Sequence, residues 1–259
     1  MKRTRAVGSG IYVIMLFAAA GTLMAEEEQP LSATVSVSYF SKYVWRGQNV
    51  NDTSVMQPSV LGSAYGFTGS IWANIDMTNQ SQTAPDNAGE FSEIDYSLDY
   101  SRDIPGLKAL GFSAGVIHYL FPNTSLKSTT EIYAGISLKA PLNPRFTWYG
   151  DVNSIEGNYL QMSLGHTVEH LVAWGSDYSM GLSLSGSVAW ASAGYNRGYF
   201  GIDAGKFNDL TAGVTFPINL KHVTINPSLN VSTMLSESIG DATYERNNIW
   251  FGVGVSKSF

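Results

Sequence analysis

Charged side chains recur at every second position in this chain, and the densest such run is acidic. Glu93, Asp95 and Asp99 alternate with apolar residues over a short stretch of sequence. Residues two apart share one side of an extended strand, so these three carboxylates are expected to face a common space. Carboxylates gathered in this way raise the local concentration of cations. The run therefore predicts an interior that attracts positive ions.

The same alternation places further charged residues on the inner faces of neighbouring strands. The predicted lining residues are Lys42, Arg46, Asp76, Glu93, Asp95, Asp99, Glu131, Lys139, Arg145 and Asp151. Carboxylates outnumber cations in this set, which favours a water-filled interior with a mild cation preference. The alternative is that the charges pair into a network that fills a narrow interior and stabilises it.

The four histidines offer little catalytic chemistry. His166 and His170 have a spacing that aligns two metal ligands on a helix, but the segment is predicted to leave a strand for a turn. His118 could act as a base for a serine nucleophile. It shares the outward register of Val116 and Leu120, however, and is expected at an interface. We predict no catalytic residue, no metal site, no cofactor and no enzyme activity.

The elements that position these residues are strands, because the period of two persists almost throughout the chain. Twelve strands are predicted, and ten or fourteen remain open: 32–46, 55–65, 67–77, 91–101, 110–121, 130–140, 145–153, 158–168, 180–192, 208–217, 223–234 and 248–259. Their lengths suit tilted strands that cross a bilayer. The predicted fold is an all-β, transmembrane, antiparallel up-and-down β-barrel. A soluble β-sandwich is the alternative, with more surface charge expected.

Aromatic residues near the predicted strand ends suit two interfacial girdles. In the first strand, Tyr43 shares a face with Val35 and Tyr39, and Trp45 lies near the strand end, so both are placed in a girdle. The last strand carries Phe251 and Phe259 on its apolar face. A final strand that ends on an aromatic residue is typical of outer-membrane barrels, which present it to the barrel assembly machinery. That machinery and outer-membrane lipid are therefore predicted partners.

The first residues resemble an export signal. A basic start, an apolar core too short to span a bilayer and Leu23-Met24-Ala25 predict a signal peptide over 1–25. A short periplasmic segment over 26–31 and the barrel over 32–259 would follow, with both termini periplasmic. Cleavage would take the net charge from −6 to −9, which argues against nucleic-acid binding. The chain contains no cysteine, and 14% of its residues are charged.

The connections between strands are unequal in length. Those over 48–53, 78–90, 122–129, 193–207 and 236–247 are long and are predicted to face outward, whereas the others are short. Two break this rule, since 155–157 is short and 169–178 is long. The 193–207 segment carries aromatic residues that could bind sugars or proteins. Its alternative is an ordinary loop, including one folded into the barrel mouth as a constriction.

Several segments resemble one family. These are Tyr43-Val44-Trp45-Arg46-Gly47, the stretch 69–73, Glu93-Ile94-Asp95, and the stretches 115–122, 131–135 and 148–151. Together they resemble the TorF-type porins, which are otherwise catalogued as bacterial proteins of unknown function. The resemblance covers about 38–165 and implies a porin, with no known substrate or site residues.

These observations predict a cell outer-membrane barrel that acts as a narrow porin. Small hydrophilic solutes or ions would pass by diffusion, with a mild cation preference. The alternative is a non-conducting barrel that serves as an adhesin, a binding protein or a scaffold. An outer-membrane lipid-modifying hydrolase is a third alternative, disfavoured because no serine–histidine spacing typical of such enzymes is present. The solute and the oligomeric state are not predicted.

Overall fold

The chain is almost entirely β-structure in a computed structural model that describes residues 31–80, 86–175 and 177–259. The predicted signal peptide (1–25) and all of the 26–31 segment except Leu31 lie outside these residues. The elements, in chain order, are β1 Ser32–Phe40, β2 Tyr43–Trp45, β3 Gln48–Asn51, β4 Val55–Ala64, β5 Phe67–Asp76, β6 Phe91–Ile104, β7 Leu107–Leu120, β8 Thr129–Leu138, β9 Arg145–Asp151, β10 Asn158–Ala173, β11 Tyr178–Ala191, α1 Ala193–Phe200, β12 Lys206–Thr215, β13 Ile218–Leu220, β14 Val223–Met234, α2 Glu237–Gly240 and β15 Asn247–Ser258.

Twelve of the strands in the described residues form a closed antiparallel barrel, which confirms the predicted fold class and strand number. Each strand pairs with the next along the wall, and β1 closes the ring by pairing with β15, with Val37 opposite Val255. The short β2 and β3 pair with each other inside the barrel, and β13 extends the wall beside β11 and β14. Closure leaves no open sheet edge, whose unpaired backbone groups would be costly in lipid.

The alternation of side chains gives the barrel an apolar outer face. On β15, Phe251, Val253 and Val255 are exposed, while Gly252 and Gly254 face inward and are buried. Other large apolar side chains point outward along the wall in the same way: Val60, Ile71, Leu98, Ile136, Leu184 and Leu229. Neither helix in the described residues is long and apolar enough to cross a bilayer.

The two ends of the barrel differ. At one end, which we call the turn end, hairpins are tight. The β4–β5 turn uses Tyr65 and Gly66 with φ values of 52° and 85°, the geometry that matches strand twist. The other end carries the longer connections and is called the loop end. The 169–178 connection, predicted to be long, is mostly strand, because β10 continues to Ala173 and pairs there with Ser179.

The first strand is shorter than predicted, and this changes the interior. It ends at Phe40, and 43–51 folds into the barrel as the β2–β3 hairpin, here called the inner hairpin. Its two-residue turn is Arg46-Gly47, with φ values of 44° and 72°. A Cβ on Gly47 would lie 2.6 Å from both Asp209 Cβ and Met234 Sδ, so the close approach requires glycine. The prediction of one strand over 32–46 was wrong.

Candidate functional site

The inner hairpin and α1 together fill the half of the lumen next to the loop end. Tyr43 and Trp45 are 3% and 1% exposed, so they lie inside the barrel and not in the predicted girdle. Trp45 packs on Tyr199 of α1, with ring centroids 5.5 Å apart. Ser192 caps α1 by accepting a hydrogen bond from the Tyr195 amide, and Gly201 ends the helix with a φ of 72°.

The helix also settles part of the 193–207 prediction. Tyr195 and Tyr199 are buried against the inner hairpin, so the expectation that these aromatics are exposed binding groups was wrong. The alternative of a segment folded into the barrel mouth is the arrangement that the structure has. Phe207 is exposed on β12, outside the lumen.

Arg46, at the tip of the inner hairpin, lies at the centre of this packed half. Its guanidinium donates two hydrogen bonds to Glu131, at 3.0 Å to Oε1 and 2.9 Å to Oε2. The two side chains are 1% and 2% exposed. Around this pair, the Arg46 Cζ atom lies 4.0 Å from the Tyr159 ring centroid, 4.7 Å from that of Trp45 and 5.0 Å from that of Tyr149. A planar, weakly hydrated cation suits such surroundings.

Hydrogen bonds tie the inner hairpin to several strands of the wall. Tyr43 donates to Glu93 Oε2 of β6 at 3.1 Å, and Asn51 donates to Asp76 Oδ1 of β5 at 2.8 Å. Three strands further around the wall from β5, Asn248 of β15 donates to the Gly47 carbonyl oxygen at 3.2 Å. The hairpin therefore fills this half of the lumen as a packed plug, held by side chains of β5, β6 and β15.

A second ion cluster lies where the hairpin leaves the wall. Lys42 contacts Asp52 at 2.6 Å and Glu245 at 2.7 Å. Burial alone lowers the pKa of Lys42, but hydrogen bonds to the two carboxylates outweigh it, so its pKa is raised. The pKa of Asp52 is lowered: partial burial raises it, and the hydrogen bond from Lys42 more than offsets that. Lys42 is therefore paired with loop carboxylates at the barrel mouth.

The burial of side chains along β6 shows the change from one half of the lumen to the other. On the inner face of β6, Glu93 and Asp95 are buried, Ser97 and Asp99 are half-buried, and Ser101 is exposed. Toward the turn end the wall is lined by small hydroxyl side chains that pair across strands, such as Ser70–Ser97, Ser36–Ser59 and Ser63–Thr68. Small residues leave this half of the lumen accessible to water.

The sequence-predicted lining residues fall into three groups. Arg46, Asp76, Glu93, Asp95, Glu131 and Asp151 are buried in the packed half. Asp99 and Arg145 lie in the turn-end half, where they contact Tyr133 at 2.6 Å and Ser113 at 2.7 Å. Lys42 and Lys139 lie at the two mouths, and Lys139 pairs with Asp103 at 2.7 Å. The structure thus brings six of the ten together around the inner hairpin.

Several residues of the packed half were missed. Tyr149, Tyr159 and Tyr195 line the Arg46 site, and Asp209 accepts a hydrogen bond from Tyr159 at 2.8 Å. Tyr149 and Tyr159 alternate with outward residues, so an inward tyrosine register was a usable signal. The position of Tyr195 depends on α1, which the pattern of period two does not predict.

The histidines lie away from this site. His118 faces outward, and its Nδ1 lies 2.9 Å from Thr130 Oγ1. The 166–170 segment belongs to β10 and not to a turn, so the predicted turn was wrong. Within the described ranges, no three His, Cys, Asp or Glu side chains converge closely enough to form a metal centre.

Comparisons with known proteins agree with this architecture. The Gcw_chp family, described as bacterial protein of unknown function, matches residues 24–254. Among solved structures, LpxR from Salmonella typhimurium is 8% identical, with 86% of this chain and 99% of that chain covered and a TM-score of 0.54. The NanC porin is 12% identical, with 87% and 98% covered and a TM-score of 0.52. The KdgM porin is 12% identical, with 87% and 99% covered and a TM-score of 0.49. No curated protein matches the chain.

Proposed function

The chain belongs to the Gcw_chp family of bacterial proteins of unknown function, and from its closed barrel we propose that it is a narrow outer-membrane porin. It would pass small hydrophilic solutes or ions by diffusion through the lumen. The observation that carries this proposal is the turn-end half, where many small hydroxyl side chains line the wall beside the larger Tyr133 and Arg145. A barrel of twelve strands is wide enough to hold such a space when its lining residues are small.

The turn end is open at its rim. A cavity of about 430 Å³ lies there between the β13–β14 turn, with Lys221 and His222, and the end of β15. In the packed half, the inner hairpin would act as the constriction that makes the pore narrow. A diffusing solute would cross the hydroxyl-lined space and then pass the hairpin when it moves or through gaps around it.

A mild cation preference belongs to the same proposal. Asp99 lies in the accessible half, and the carboxylates of the packed half outnumber its central cation, Arg46. Arg145 opposes this preference from the turn-end half. Acidic side chains along a water-filled path raise the local concentration of cations.

The proposed location follows from the fold and the sequence. Export by a signal peptide over 1–25 and assembly through the last strand, which ends at Phe259, would place the barrel in the outer membrane. The turn end, which carries the start of β1 and the end of β15, would face the periplasm. The loop end would face outward. Identity as a TorF-type porin is part of this proposal, supported by the family match and the barrel.

The experiment is single-channel recording of the purified, refolded protein in a planar bilayer, with a salt gradient to measure selectivity. We expect small current steps with a reversal potential that indicates cation preference. Heat-modifiable migration on a gel would show that the same preparation is folded. A folded barrel that never conducts would contradict the proposal.

The packed half favours one alternative, a non-conducting barrel that serves as a surface scaffold or binding protein. Its specific support is the buried Arg46–Glu131 pair, which holds the inner hairpin inside the lumen. This alternative predicts no conductance in the intact barrel. Shortening the exposed loop segments would then abolish partner binding, and the barrel would still conduct no current.

A further inference from the structure

Two adjacent carboxylates in the packed half lack the partners that neighbouring buried carboxylates have. Glu93 and Asp95 lie two residues apart on the inner face of β6 and are 1% and 3% exposed. Among the described residues, Glu93 Oε2 accepts a hydrogen bond from Tyr43 Oη at 3.1 Å. In that same part of the chain, no hydrogen-bond donor from another residue reaches Glu93 Oε1 or either carboxylate oxygen of Asp95.

Other carboxylates near Glu93 and Asp95 accept hydrogen bonds from neighbouring side chains. Glu131 is held by both terminal nitrogens of Arg46. Asp76 Oδ1 accepts hydrogen bonds from Asn51 at 2.8 Å, from Asn74 at 2.9 Å and from Ser92 at 3.2 Å, although no donor among the described residues reaches Asp76 Oδ2. The guanidinium of Arg46 is therefore already engaged by Glu131, and the Glu93–Asp95 pair needs a different compensating charge.

The Glu93 and Asp95 carboxyl groups lie within hydrogen-bonding reach of each other, a contact that requires either a shared proton or a bound cation. Two ionised carboxylates in contact, away from water, repel each other and lose their hydration without compensation. Three carboxylate oxygens that no donor reaches, on one face of one strand, are a ligand set for a hard cation, because calcium and related ions bind oxygen ligands. A divalent cation would also balance the two negative charges.

We propose that Glu93 and Asp95 bind a divalent hard cation, such as calcium, inside the packed half of the lumen. Few protein ligands converge there, which suits an ion that completes its coordination with water or a hydroxyl group. Tyr43 already contacts Glu93, so the bound ion would lie directly beneath the inner hairpin. The site goes beyond the proposed porin function, because binding of the ion does not depend on conduction.

The direct test uses Tb³⁺, a luminescent calcium analogue, with the refolded full-length mature barrel in detergent after removal of metal by EDTA. Tyr43 and Trp72 lie beside the site, with ring centroids 5.7 Å apart, and can sensitise the ion. We expect saturable luminescence that calcium displaces. Glu93→Gln and Asp95→Asn should each weaken binding at least about tenfold. Asp99→Asn, on the same face of β6, is the matched control and should leave Tb³⁺ binding unchanged.

Thermal unfolding gives an independent readout if a variant binds no ion. Calcium should raise the Tm of the wild-type barrel and have no effect on the Glu93→Gln/Asp95→Asn double variant. In EDTA that double variant should be more stable than wild type, because it lacks the repulsion between the carboxylates. Absence of saturable Tb³⁺ binding to wild type, or equal binding to the double variant, would overturn the site. A wild-type Tm that responds to pH but not to calcium would indicate a shared proton and would also overturn it.

Discussion

The two halves of the lumen are built from the same twelve strands but differ in what those strands present. Next to the loop end, the lining side chains are large, buried and bonded to the inner hairpin, with the Arg46–Glu131 pair at the centre. Toward the turn end, the lining side chains are small hydroxyls that remain accessible, such as Ser97 and Ser101. One barrel wall thus supports a packed core at one end and a water-accessible space at the other.

The difference teaches that the wall alone does not decide whether this barrel is open. The packed half is made by a nine-residue stretch of the chain, 43–51, together with α1. Its buried ion pair is costly to desolvate and is stable because both Glu131 oxygens accept hydrogen bonds from the Arg46 guanidinium. The hydroxyl-lined half needs no such pairing, since its polar groups bond to each other across strands or to water.

Removal of the inner hairpin should reduce the difference between the two halves more than any of the substitutions described below. Replacement of 42–52 by a short Gly/Ser linker would remove the hairpin and leave only α1 inside the packed half. We expect single-channel conductance to rise by about tenfold, because the side chains of the hairpin no longer obstruct the lumen. Recordings in planar bilayers measure this, and heat-modifiable gel migration controls for folding. Unchanged conductance in a folded variant would show that the hairpin is not the constriction.

Breaking the central ion pair should release the hairpin without deleting it. Glu131→Gln leaves the Arg46 guanidinium buried without its carboxylate, which costs about 3–5 kcal/mol. Hydrogen exchange of the 43–51 amides should accelerate by about 100-fold or more.

The matched control for this change is Asp103→Asn, which breaks the Lys139–Asp103 pair at the turn end. That pair has a similar 2.7 Å contact, but its side chains are 33% and 41% exposed. Its loss should cost about 0–1 kcal/mol. Equal effects of the two substitutions would contradict the distinction between the halves.

Two tyrosine–aspartate contacts, one in each half of the lumen, allow the contribution of a single hydroxyl group to stability to be compared. Tyr159→Phe removes the donor to buried Asp209, at 2.8 Å, and should lower the free energy of unfolding by about 1–3 kcal/mol. Tyr133→Phe removes a 2.6 Å contact to half-buried Asp99, where water can replace the hydroxyl. Its cost should be below about 1 kcal/mol. Urea unfolding from lipid vesicles measures both, and a larger loss for Tyr133→Phe would be contrary to expectation.

The smallest expected effect concerns selectivity. Asp99→Asn removes one carboxylate from the accessible half and should reduce the ratio of potassium to chloride permeability by less than about twofold, since water and salt screen an accessible charge. Reversal potentials under a salt gradient provide the measurement. Arg145→Gln, in the same half, should shift the ratio in the opposite direction. A shift of the same sign in both variants would argue against a pore whose selectivity follows its charge.

The sequence was a good guide to the wall and a poor guide to the plug. Faces of β5, β6 and β15 follow directly from alternation, because a barrel has an apolar outside and a polar inside. Tyr43-Val44-Trp45 also has the composition of a strand, so nothing local distinguishes continuation of the wall from a fold into the lumen. What decides is the contact of Arg46 with Glu131, 85 residues away along the chain.

The charged residues show the same division. Alternation was enough to place Glu93, Asp95 and Asp99 on one face of a strand. It could not show that the first two are buried and the third is accessible, because that depends on where the inner hairpin lies. The helix α1 was missed because it spans only eight residues, Ala193–Phe200. These are rich in glycine and aromatic residues, a composition with weak helix preference.

Thiol accessibility tests the central claim, that one half of the lumen is packed and the other is accessible, most directly. The chain has no cysteine, so Ser97→Cys and Val55→Cys can each report alone, and both side chains face the lumen. Val55 is fully buried under the hairpin, whereas Ser97 is half-buried. A small charged thiol reagent should modify the cysteine at 97 about 100-fold faster than the one at 55, the ratio expected if the packed half must open locally before it reacts. Equal rates at the two positions would contradict this account.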